Sequence, residues 1–125
     1  MTEADVWQEI GEEGFVRISQ AFYAEMRTDD LVGAMYPEDD WQGAEERFRD
    51  YLLMRFGGQT AYLEKRGHPR LRARHLPFSI GEAERDRWLE IMGRAMKTAG
   101  IPNDAAVALA EFFVPLADFM RNRPG

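Results

Sequence analysis

An all-α fold is what this sequence predicts, and three observations predict it. Apolar residues recur at intervals of three and four through four long stretches, the spacing of one face of a helix. Glycine and proline gather between those stretches, where helices stop, and the period-two alternation of a half-buried strand is almost absent. With 125 residues, 45% of them hydrophobic, the chain has the size of one domain and enough apolar side chains for a single continuous core.

The elements follow in order. From Gly14 to about Arg27, Phe15, Ile18, Phe22 and Met26 mark one helical face, with Tyr23 beside it. Thr28 and Asp29 offer caps for a short helical turn that Tyr36-Pro37 ends, because a residue before proline is pushed out of the helical region. A longer helix is capped by Asp39 or Asp40. Trp41, Ala44, Phe48, Tyr51, Leu52 and Arg55 share its inner face, Glu45, Glu46, Arg49 and Asp50 face away, and Gly57-Gly58 stops it. Gly67, Pro69 and Pro77 then forbid an uninterrupted helix. Ser79 to Glu82 ("SIGE") has capping-box spacing and opens a helix that buries Trp88, Ile91, Met92, Ala95 and Ala99 and ends at Gly100 and Pro102. Asn103 or Asp104 caps the last helix, where Leu109, Phe112, Phe113, Leu116, Phe119 and Met120 repeat at three and four; Pro115 inside it predicts a kink or an early break. Four main helices, two on either side of an irregular loop, fit a four-helix bundle or a reduced globin-like fold.

Charge and composition narrow the partners. A net charge of −6 argues against nucleic acid or an anionic membrane. Without cysteine there is neither a disulfide framework nor a thiolate metal site. The N-terminus carries acids and no apolar run, and no run approaches the ~20 residues that span a bilayer, so residues 1–125 read as one cytoplasmic domain without repeats.

The irregular stretch from Arg66 to Phe78, "RGHPRLRARHLPF", holds four arginines and both histidines of the chain. In so broken a segment, His75 is ordinarily a partly exposed loop histidine. A structural zinc ion wants about four Cys or His ligands, more than this chain has. A di-iron carboxylate bundle needs a pair of Glu-x-x-His motifs, and none is present. One histidine acting alone can ligate haem iron, because porphyrin supplies the other four donors. Haem propionates are anionic, and Arg70, Arg72 and Arg74, with Arg47 across the pocket, form a cluster suited to receive them.

The stretches "FYAEM" (22–26), "MYPEDDWQGAEERFR" (35–49), "FGG" (56–58), "YLEKRGHPRLRARHLPF" (62–78) and "ERDRW" (84–88) resemble the truncated haemoglobins of group II. The resemblance runs over nearly the whole chain and is strongest from Phe22 to Trp88. Its most specific part is the run ending in His75, followed by an aromatic and by a tryptophan ten residues beyond that aromatic. It implies a truncated globin-like two-over-two helical sandwich around haem b, with His75 as the protein's iron ligand. It implies a distal pocket of Tyr23 as hydrogen-bond donor, Tyr36 as a second phenol, Phe48 as an apolar lid and Trp88 as the indole that holds ligand. Ala44 falls where longer globins carry a distal histidine and implies an open route to the iron. Arg47 and Arg74 match positions that reach the propionates, Tyr62 and Leu71 match contacts near the haem edge, and Phe78 is the aromatic after the ligand. His68 has no part in iron binding and is expected to brace its loop.

Trp41 departs from the family, standing where relatives commonly have an aliphatic residue and narrowing access near the distal helix. Phe56 stands where many have tryptophan, and Gly11 and Gly14 are spaced close to the family's first glycine motif. The function implied is binding and transport of dioxygen, and binding of other diatomic gases such as CO and NO, by a monomer or homodimer. The alternative is a haem-dependent redox enzyme that oxidises nitric oxide or reduces peroxide with the help of an unidentified reductase. A haem-free interaction module is the third reading, and the pairing of His75 with an arginine cluster argues against it.

Overall fold

The computed structural model describes residues 1–125. The chain forms α1 (Glu3–Met26), a 3-10 turn (Gly33–Met35), α2 (Trp41–Gly57), α3 (Ala61–Arg66), α4 (Leu71–His75), α5 (Glu82–Thr98) and α6 (Asn103–Phe119), with no strand. Helices α1 and α2 form one packed pair and α5 and α6 the other, and α1 also reaches across to both members of the second pair. The core sits between the pairs: Phe15, Ile18, Phe22 and Met26 from α1, Leu52 from α2, Ile91 and Met92 from α5, and Leu109 and Phe113 from α6 are fully or almost fully buried.

Helix α1 starts eleven residues before the expected Gly14, at Glu3. Thr2 and Asp5 form a reciprocal cap, the Thr2 hydroxyl accepting from the Asp5 amide at 3.1 Å and the Asp5 carboxylate accepting from the Thr2 amide at 2.8 Å. Gly11, at φ 62° and ψ −175°, then kinks the helix, a conformation that costs little only without a Cβ. The first segment thereby buries Val6 against the core.

Asp29 braces the loop before the 3-10 turn rather than capping it, its carboxylate accepting from the amides of Leu31 at 3.0 Å and Val32 at 2.8 Å, while Val32 is the N-cap. Asp40 precedes α2 but makes no capping bond; it pairs with Arg47 at 2.9 Å instead. Asp50, assigned to the outward face, is buried and holds Lys65 and Arg66 of α3 at 3.3 Å each, which fastens α3 to α2. The expected capping box at Ser79 and Glu82 lies two residues further on. Gly81 is the N-cap, and Glu84 accepts from its amide at 2.7 Å. The shift has a cause: both backbone groups of Ile80 are engaged by Asn122, which keeps that residue out of the helix. Pro102, rather than Asn103 or Asp104, precedes α6. The expected break at Pro115 does not occur, and α6 continues to Phe119. Proline's fixed φ suits a helix, and the carbonyl left without its partner belongs to exposed Glu111.

Between the pairs the chain is less firmly held. Helix α4 has five residues, none of them buried, and lacks extended packing against any long helix.

Phe22 is 0% exposed and touches Phe48 of α2 and Trp88 of α5, each with ring centroids 5.2 Å away. It therefore joins the two helix pairs. Phe22→Ala should cost about 3–5 kcal/mol of stability, as for other buried aromatic truncations. Urea unfolding measures this, and a loss below about 1 kcal/mol would mean the pairs are joined elsewhere.

Candidate functional site

The fold brings four of the predicted distal residues, Tyr23, Tyr36, Phe48 and Trp88, into one neighbourhood. Tyr23, one residue after Phe22, is buried, with its ring 5.7 Å from Tyr36 and 5.9 Å from Phe48. Tyr36 ends the 3-10 turn in an extended conformation, so its ring folds back over α1. Phe48 and Trp88 are half-buried and meet edge to face at 6.4 Å, and Phe113 of α6 closes the group at 5.7 Å from Trp88. Phenol and indole donors thus stand among apolar ring faces. Burial, with a smaller contribution from Tyr36, holds the Tyr23 phenol well above its ordinary pKa; burial likewise raises Tyr36. Both remain protonated donors at neutral pH.

Trp41 and Ala44 lie at the start of α2, beside the phenols. Trp41 stacks on Tyr36 at 5.1 Å and lies edge-on to Tyr23 at 6.4 Å, so it builds the pocket wall. Ala44, one turn later on the same helix face, is 3% exposed. The Tyr36–Trp41 stack stands one turn before it at the start of α2.

On the other side stands α4. His75 is half-buried, and its Nδ1 lies 2.5 Å from the Leu71 carbonyl oxygen. A carbonyl can only accept, so Nδ1 carries the hydrogen and Nε2 keeps the free lone pair. Leu71 packs against the core, and Tyr62 is buried with its ring 5.9 Å from Tyr51. Phe78 is partly exposed just beyond the helix. His68 braces the loop as expected, its Nδ1 accepting from the Arg70 amide at 3.2 Å. That bond helps hold Arg70 at φ 46° and ψ 48°, a left-handed conformation costing a non-glycine residue about 1–2 kcal/mol.

The arginines divide by partner. Arg47 is half-exposed on its salt bridge to Asp40, and Arg74 donates to the Arg66 carbonyl at 3.2 Å. Arg72 lies over the Phe119 ring at 5.8 Å, and Arg70 is the strained residue before α4. Neither of the last two is directed by a carboxylate or a carbonyl in the way the first two are.

Three supporting residues act through partners that local sequence patterns do not reveal. Asp29 accepts from Arg87 at 2.6 Å, tying the turn that presents Tyr36 to the residue before Trp88. Asp50 fastens α3, and Asn122 bonds the segment after His75.

The donor set fits one kind of cofactor. No group of three or more His, Cys, Asp or Glu residues could hold a bare metal ion. A single imidazole with a free Nε2 fits a metal that brings its own equatorial donors, as haem does.

The model of the bacterial-like globin family matches residues 5–122. This chain is a truncated haemoglobin of group II. It is similar to the group 2 truncated haemoglobin of Bacillus subtilis, with 35% identity over 98 residues, 78% of this chain and 74% of that protein. It is also similar to the solved thermostable haemoglobin of the actinobacterium Thermobifida fusca, at 42% identity and a TM-score of 0.88 over 100% of both chains. The solved truncated oxygen-avid haemoglobin of Bacillus subtilis is 32% identical with a TM-score of 0.86, over 94% of this chain and 98% of that one. Haem-based binding of oxygen is the general function of the globin family to which the chain belongs. No helix of this truncated haemoglobin is long and apolar enough to cross a membrane.

The Asp29–Arg87 tie has a pH signature. Burial alone would raise the Asp29 carboxyl; the amides of Val32 and Leu31 and the Arg87 guanidinium outweigh it and hold the carboxyl below its usual range. A depressed carboxylate contributes stability above its unfolded pKa of about 4 and loses it as pH falls through the folded value. Wild type should therefore lose stability below about pH 4 more steeply than Asp29→Asn. Urea midpoints measured across that range check this, and parallel curves would contradict it.

Proposed function

We propose that this truncated haemoglobin binds dioxygen tightly, and binds CO and NO as well, at a haem b whose iron His75 ligates. The observation that carries this is the 2.5 Å approach of His75 Nδ1 to the Leu71 carbonyl, which leaves Nε2 as the one unengaged imidazole nitrogen on α4. Haem, when bound, supplies four pyrrole nitrogens and an iron centre that takes diatomic gases.

The chain's own residues do the rest. His75 is oriented before any cofactor arrives, since its ring is tethered within its own helix. Arg47 and Arg74 hold the propionates: their guanidiniums lie at the surface with weak partners, so a carboxylate can replace or join those partners at little cost. Each such contact is worth ~0–1 kcal/mol. Tyr62 and Leu71 supply apolar contact at the haem edge, and Phe78 covers it past the ligand. On the distal side, Phe48, Phe22 and Phe113 exclude water, while Trp88, Tyr23 and Tyr36 offer hydrogen to the polar end of a diatomic ligand. With Ala44 unable to donate, those three groups are the donors the pocket has. The oxygen-avid description of the Bacillus subtilis relative supports the same reading, slow release through several donors in a dry pocket.

The test is a spectrum followed by a rate. Haemin-loaded protein, once reduced, should give the absorption bands of a histidine-ligated haem carbonyl under CO; free-haemin bands would overturn the reading. Trp88→Phe keeps the aromatic body and deletes one donor. A hydrogen bond to a partly charged ligand is worth ~1.5–3 kcal/mol, so the oxygen dissociation rate should rise roughly ten- to a hundredfold. Carbon monoxide, less polar, should respond less. An unchanged oxygen off-rate would remove Trp88 from the donor set and leave the tyrosines.

A further inference from the structure

The helix that carries His75 is poorly held by its own sequence. It spans five residues, buries none, follows a strained left-handed residue and lacks extended packing against any long helix. Contacts from outside the helix add to its hold, and one side chain makes several of them. Asn122, beyond the end of α6, donates through Nδ2 to the Phe78 carbonyl at 2.6 Å and to the His75 carbonyl at 3.3 Å. Its Oδ1 accepts from the Ile80 amide at 2.9 Å, and its own amide donates to the Ile80 carbonyl at 2.9 Å. One residue therefore engages the backbone at three places between His75 and Ile80.

The segment carrying Asn122 is itself anchored. Arg123 pairs at 2.7 Å with Glu84, the carboxylate that also caps Gly81, and the Gly125 carbonyl accepts from the Glu82 amide at 3.1 Å. Gly81 makes the approach possible, since a Cβ there would overlap the Gly125 carbonyl oxygen.

We infer that Asn122 is a positioning residue for the iron ligand: residues 122–125 form a strap, tied to the start of α5, that sets the place of His75 relative to the haem plane. This rests on His75 being the ligand. The chemistry follows from donor geometry. An amide has both a donor and an acceptor face, and here the donor face meets two carbonyls while the acceptor face meets an N–H. Aspartate keeps the acceptor and loses the donor, which turns a carboxylate toward two carbonyl oxygens.

The experiment compares wild type, Asn122→Ala, Asn122→Asp and Gly81→Ala, all loaded with haemin. Two readouts go beyond gas binding: the rate of haemin transfer to an acceptor apoglobin, and the iron–histidine stretching band of the reduced protein in resonance Raman. Asn122→Asp should transfer haemin roughly tenfold faster or more, because two carbonyl bonds are lost and replaced by repulsion. Asn122→Ala should show a smaller increase, and in both the iron–histidine band should shift or broaden while the CO spectrum still reports histidine ligation. Gly81→Ala leaves Asn122 in the chain but displaces the strap, and should move both readouts in the same direction. Haemin transfer and band position equal to wild type in all three variants, with only the melting temperature lowered, would overturn the inference and reduce Asn122 to a support of the fold. A wild-type protein without an iron–histidine band would instead overturn the ligation by His75, an outcome separate from any effect of Asn122.

Discussion

The hydrogen bond from His75 Nδ1 to the carbonyl of Leu71 spans four residues within a five-residue helix, and the use of the whole site depends on it. Because the carbonyl can only accept, one tautomer is selected and Nε2 is presented as a base. The donor to this bond is the ring of the candidate ligand, and the acceptor belongs to a residue that packs against the core. Orientation of the imidazole is thus referred to the core over a very short path. Without that tether His75 would be an ordinary half-exposed histidine on a loop.

The distal side solves the opposite problem. There polar hydrogens must be held among apolar rings. Phe22 is the means, because it sits between Tyr23, Phe48 and Trp88 and fixes all of them by packing. Burial keeps the two phenols protonated, so they stay donors across the neutral range. The Asp29–Arg87 pair then sets the Tyr36 turn against the start of α5, so the two donor-bearing elements cannot drift apart independently.

Much of this was legible in the residues. The spacing in α2, α5 and α6 predicts those helices and most of their buried faces, since periodicity reports burial directly. His75, Tyr23, Tyr36, Phe48 and Trp88 could be named because the motif around them is specific. The first segment of α1 was missed: its few apolar residues are diluted by acids and followed by two glycines, and it becomes a helix through the Thr2–Asp5 cap and the packing of Val6. The start of α5 was placed two residues early because Ser79 and Glu82 satisfy the capping pattern, while Ile80 is captured by Asn122. Asp50 looked like a surface acid until α3 supplied its cations. Each of these depends on a contact far along the chain, which local patterns do not encode.

Haem retention in two histidine variants tests the central assignment most directly. His75→Ala and His68→Ala each remove one imidazole from the same loop, one tethered to the core and one bracing Arg70. After haemin loading, reduction and exposure to carbon monoxide, His68→Ala should keep the wild-type carbonyl spectrum, and His75→Ala should lose haem or hold it without the spectrum of histidine ligation. The reverse pattern, with His75→Ala spectrally intact and His68→Ala unable to keep its haem, would contradict the account.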